Sequence, residues 1–128
     1  MFGFEDVLKG MDLEFFANGK HKITAEKLFK SKDSVFLDVR SKEETESVAL
    51  PLRYQAESIH IPTNEIPDRL SEIPKDKIVG IFCSSGTRAA IVYAFLRVNG
   101  FDNVGILVGG YESLINNSKP GQIWNAVK

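Results

Sequence analysis

The stretch that most restricts what this chain can fold into is Ile78-Val79-Gly80-Ile81-Phe82-Cys83-Ser84-Ser85-Gly86-Thr87-Arg88-Ala89-Ala90. Its first five residues are mostly apolar and rich in β-branched types, too few for an ordinary helix, and predict a strand. That run meets Cys83, the chain's only cysteine, and then a short polar loop containing Gly86. Over residues 88–99 good helix formers take over, with Ala89, Val92, Phe95, Leu96 and Val98 in a near-helical spacing that stops at Gly100. The order is strand, thiol loop, helix.

The first amides of a helix have no intrahelical partners and carry the positive end of its dipole, so an anion is stabilised there. A free cysteine at a strand end can also be a small buried hydrophobe. A loop closing on glycine and arginine before a helix favours instead a nucleophilic thiolate at Cys83. Arg88 adds to this, because a cation in a helix's first turn opposes the dipole and predicts something negative nearby. The hydroxyls of Ser84, Ser85 and Thr87 read as turn chemistry, and the backbone N–H groups of the loop as the working donors.

Length and charge limit the rest. With 128 residues, 43% hydrophobic and 26% charged, the chain is long enough for one core and too short to expect two domains. A formal net charge of −1 and the lack of a Lys/Arg run give no electrostatic footprint for nucleic acid or an anionic membrane. One cysteine excludes an internal disulfide framework, and with only two histidines no metal site and no cofactor are expected. A reducing cytoplasm fits. Glu5 and Asp6 interrupt the amino terminus, which predicts no signal peptide, and no apolar run is long enough for a transmembrane helix.

Along the chain, Phe2, Phe4, Val7, Leu8 and Met11 form one face of a short helix, and residues 13–16 before Asn18-Gly19 read as a strand entering a tight turn. This aromatic-rich segment packs on its own domain or contacts a partner. Thr24 is an N-cap for a short helix over 25–30, and 34–39 reads as a buried strand. Asp38 and Arg40 lie two apart, on one side of that strand's end, and read as a brace for neighbouring loops. Residues 42–47 are a solvated helical turn, 64–70 a short helix and 71–77 a charged connection. Residues 104–108 are a further apolar run, after which Gly109-Gly110 permits a sharp turn into a helix over 111–116. Ile123 and Trp124 pack a terminal helix, and neither His21 nor His60 reads as a site residue. Alternating strands and helices predict an α/β fold, a central parallel sheet flanked by helices on both faces, with ligands at the carboxyl ends of strands, where Cys83 stands.

Cys83-Ser84-Ser85-Gly86-Thr87-Arg88-Ala89 resembles the active-site loop of rhodanese-homology domains, commonly Cys-x-x-Gly-x-Arg-(Ser/Ala). Other segments agree in order: Phe36-Leu37-Asp38-Val39-Arg40 with the family's Asp-x-Arg strand end, Ile59-His60-Ile61-Pro62 with its Asn-Ile-Pro, and Val108-Gly109-Gly110-Tyr111-Glu112 with its Gly-Gly-(Tyr/Trp) turn. The resemblance covers about residues 22–116 and divides the chain into an extension, 1–21, and a single rhodanese-like domain, 22–128. Ala49-Leu50-Pro51 stands where the family has His-Ile-Pro, and 52–55 reads as an insertion.

The resemblance implies a sulfurtransferase of the thiosulfate type, moving a sulfane sulfur from thiosulfate or a persulfide to a thiol, a protein thiol or cyanide through a Cys83 persulfide. Cys83 is then catalytic, and Ser84, Ser85, Gly86, Thr87 and Arg88 bind substrate. Cysteine-dependent phosphatase or arsenate chemistry is the alternative enzyme class, but related folds use a longer loop than the four residues between Cys83 and Arg88. A sulfur carrier or docking module without turnover would keep the same thiol. Ser84 and Ser85 are neutral, so only Arg88 supplies loop charge, which predicts weak thiosulfate affinity.

Overall fold

The computed structural model describes residues 2–128. Five strands form one parallel sheet in the order β1-β5-β4-β2-β3. They are β1 (Lys22–Ile23), β2 (Ser34–Asp38), β3 (Glu57–His60), β4 (Ile78–Phe82) and β5 (Val104–Leu107). Every residue of β2 is buried, as expected of a strand with neighbours on both edges and helices on both faces.

The period-two alternation of a strand splits the interior into two cores. Val35, Leu37, Val39, Val79, Ile81 and Cys83 face α5 (Thr87–Val98), whose Ala89, Val92, Tyr93 and Leu96 pack onto them. Phe36, Phe82, Ile23 and Leu107 face the other way, against Ala25 and Leu28 of α3 (Ala25–Lys30) and Leu114 of α6 (Gly110–Asn116). Burying each large aliphatic or aromatic side chain contributes about 1.5–3 kcal/mol relative to leaving it exposed. Gly80 lets α3 come close to β4, since a Cβ there would lie 2.7 Å from Leu28 Cδ2.

Thr24 caps α3 as expected, its side chain accepting the Lys27 N–H. Residues 13–16 are not a strand. They belong to α2 (Leu13–Ala17), because Asp12 Oδ1 accepts the Phe15 N–H at 2.9 Å and supplies a helix cap. Before it, α1 (Phe4–Lys9) packs on α5 and buries Val7, while Phe4 and Leu8 of the expected apolar face are exposed. Residues 64–70 fall within a 3₁₀ segment, Thr63–Glu72, in which Pro67 removes a donor that an α-helix interior would need.

The expectation that Trp124 packs the terminal helix is also corrected. Helix α7 (Pro120–Val127) has no buried residue, and Trp124 is 63% exposed. Among the described residues no helix is long and apolar enough to cross a membrane.

Candidate active site

Cys83 follows the last residue of β4 at the sheet's carboxyl edge, and it is only 3% exposed. Although the residue belongs to the core facing α5, its Sγ accepts the backbone N–H of Gly86 at 3.0 Å and of Ala89 at 3.3 Å. Gly86 makes this possible. At φ +89° it lies in the left-handed region that side-chain-bearing residues avoid, and there it turns the loop into α5 as the helix N-cap.

Because a glycine cap has no side chain, the first amides of α5 are left open. The thiol takes the Ala89 amide, whereas the amides of Ser84, Ser85, Thr87 and Arg88 donate to no acceptor among the described residues. The side chains of Ser84, Ser85 and Thr87 face solvent. The loop therefore offers a sulfur held by two N–H groups at a helix amino end, in a segment whose other four amides have no acceptor among the described residues. The beginning of α6 lies beside the loop, a Cβ on Gly110 being 3.8 Å from the Ser84 carbonyl oxygen.

Arg88 reaches across to α4 (Lys42–Ser47), where Glu44 receives it in a fork: Nη1 donates to Oε1 at 2.6 Å and Nη2 to Oε2 at 2.9 Å. Nη2 also donates to Ser84 Oγ at 3.1 Å, tying the fork to the loop. Glu44 is itself fixed by the first turn of α4, its Oε1 accepting from the Ser41 N–H and hydroxyl at 3.1 and 2.9 Å in a capping box. The Arg88 guanidinium, with help from Ser41, pulls the Glu44 carboxyl down to about 2.

A second pair is buried. The Arg40 side chain is fully buried, donating from Nε and Nη2 to the Asp38 carboxylate, the shortest contact being 2.7 Å, and from Nη1 to the Tyr111 hydroxyl at 3.0 Å. Its guanidinium lies 5.5 Å from the Phe82 ring centre and 5.4 Å from that of Tyr111. His60 Nε2 hydrogen-bonds the Arg40 carbonyl at 2.8 Å and so is committed to the backbone.

The structure thus joins Cys83, Gly86, Ser84 and Arg88, and adds two groups that the sequence reading missed, the Ala89 amide and Glu44. Ser41 and Glu44 have the capping-box spacing, a readable signal for a helix start. Nothing local points Glu44 at a residue 44 positions away. A surface groove of about 1000 Å³ between α3 and α7 lies at the amino ends of the strands, and none of the residues from Cys83 to Arg88 lines it.

The family model of the rhodanese-like domain matches residues 23–117. The sulfurtransferase of Allochromatium vinosum is 34% identical over 86 residues, 67% of this chain and 76% of that protein. A tRNA sulfurtransferase from Psychromonas ingrahamii is 31% identical over 75 residues, 58% of this chain and 15% of its own length. Among solved structures, a rhodanese-related protein from Thermoplasma volcanium is 30% identical, with a TM-score of 0.63 covering 78% of this chain and 95% of that one. The family match runs from β1 through α6 and includes the whole thiol loop, so the chain belongs to the rhodanese-like domain family, among relatives named as sulfurtransferases.

Proposed function

We propose that the chain is a sulfurtransferase that carries a sulfane sulfur on Cys83, taking it from thiosulfate or a persulfide and passing it to a thiol or cyanide. The observation that supports this best is the pair of amide donors on Sγ at the amino end of α5, in a loop whose Ser84, Ser85, Thr87 and Arg88 amides donate to no acceptor among the described residues. Cys83 acts as nucleophile. The amides of Ser84, Ser85, Gly86, Thr87, Arg88 and Ala89 steady the negative charge that sits first on the thiolate and then on the transferred sulfur.

With thiosulfate, the thiolate attacks the sulfane sulfur, a new S–S bond forms, and sulfite departs with the electron pair of the broken bond. Cyanide or an acceptor thiolate then attacks the outer sulfur of the persulfide, and Cys83 leaves again as the thiolate. No second cysteine is needed, and a reducing cytoplasm would keep the thiol ready for each cycle. Phosphate or arsenate chemistry is less well served, because the Arg88 fork that would clamp a tetrahedral oxyanion is already filled by Glu44.

Sulfur transfer to cyanide, and separately to a thiol, tests the reading. Wild type turns over with thiosulfate or cysteine persulfide and Cys83→Ser does not. Hydrolysis of a phosphate ester or reduction of arsenate, without sulfur transfer, would overturn it. A persulfide that forms but is discharged only by a protein would replace turnover with a carrier role.

A further inference from the structure

We infer that Glu44 sets donor specificity by masking the charge of Arg88, so that the site disfavours the dianion thiosulfate relative to less charged persulfides; this rests on the sulfurtransferase reading above. Two guanidiniums belong to the site and both are matched by a carboxylate. Arg40 is sealed from solvent, and each of its three side-chain nitrogens donates to Asp38 or Tyr111. Arg88 is the loop's own cation, and its two terminal nitrogens are turned into the Glu44 carboxylate. An incoming donor therefore meets neutral N–H dipoles and no uncompensated positive charge from either arginine.

The mask is permanent at neutral pH, since a carboxyl held at about 2 stays ionised far below the working range. It is also rigid. Glu44 is fixed by Ser41 and Arg88 by Ser84, so the fork is held from both ends. A persulfide group brings a single negative charge to the thiol, which the amides can accept. Thiosulfate brings two, and its sulfite end meets a cation already neutralised. Glu44 touches no reacting atom in this scheme and works through Arg88 as a specificity-determining residue.

Glu44→Gln separates charge from shape. Glutamine keeps the capping box with Ser41 and a carbonyl acceptor for Arg88 Nη1, and it removes the negative charge together with the Oε2 that accepts from Nη2. The first measurement is thiosulfate binding without chemistry, a titration followed by the loop amide NMR shifts in Cys83→Ser and in Cys83→Ser with Glu44→Gln. The double variant binds thiosulfate about tenfold more tightly at low salt, and the gap narrows above about 0.1 M salt. Equal or weaker binding overturns the inference, whatever the wild type does with sulfur donors.

The second measurement is steady-state turnover with Cys83 in place. Glu44→Gln lowers KM for thiosulfate by several-fold more than KM for cysteine persulfide, with kcat changing less than KM. If both KM values move together, Glu44 is structural only and the inference fails. Tighter thiosulfate binding in a chain whose Cys83 never gains sulfur would uphold the mask and reject the sulfurtransferase reading, so the two stand or fall separately.

Discussion

Asp38–Arg40 and Glu44–Arg88 are both arginine–carboxylate forks, the first side-on through Nε and Nη2 and the second end-on through Nη1 and Nη2, and their surroundings differ. The side chains of the first pair are 7% and 0% exposed, those of the second 34% and 32%. A buried pair has lost its hydration, so it persists only because each polar atom finds a partner, as Arg40 does in Asp38 and Tyr111. A half-exposed pair keeps much of its water and is screened by salt. The first can brace a strand end but cannot be varied without cost to the fold. The second can be changed with little cost, which makes it the place where charge at the site can be tuned.

The largest expected effect comes from breaking the buried pair. Arg40→Met leaves the Asp38 carboxylate buried without its cation and destabilises the fold by about 3–5 kcal/mol, read by chemical denaturation. A loss no larger than that of Glu44→Gln would erase the distinction between the pairs. Tyr111→Phe sharpens it, removing one acceptor from Arg40 Nη1 while keeping the ring against Phe82, and costs about 1 kcal/mol.

Acid titration probes the exposed pair. Arg88 depresses the folded-state pKa of Glu44 to about 2, so its contribution to stability is fully present above the ordinary glutamate range and is lost as pH falls through that window towards 2. The stability difference between wild type and Glu44→Gln, small at pH 7, therefore shrinks over this interval. A difference that stays constant down to pH 2 would show that Glu44 and Arg88 are not paired in solution. The smallest effect is Trp124→Ala, on a side chain 63% exposed, which moves stability by no more than about 0.5 kcal/mol.

The parallel sheet was legible because apolar runs of strand length alternate with helical periodicity, and each of the three long runs before Asp38, Cys83 and Val108 became a central or near-central strand. Residues 13–16 misled because Leu13-Glu14-Phe15-Phe16 suits either state, and the Asp12 cap decides it. Trp124 misled because an aromatic on a terminal helix has no fixed obligation to be buried. At the site, the nucleophile and its glycine turn could be read from one short segment. The Arg88–Glu44 fork could not, since it joins the start of α5 to the start of α4, and that proximity comes from the sheet order placing β2 beside β4. The spacing of Asp38 and Arg40 alone predicts a brace. Arg40's burial beneath Phe82 and Tyr111 comes from packing across the second core.

The most direct test of the account is the intact mass of the protein after incubation with thiosulfate or cysteine persulfide and removal of the donor. Wild type gains the mass of one sulfur atom, lost again on adding cyanide, and Cys83→Ser gains nothing. An unchanged wild-type mass with both donors, in a folded protein whose thiol is shown to be reduced, would contradict the claim that Cys83 carries sulfur.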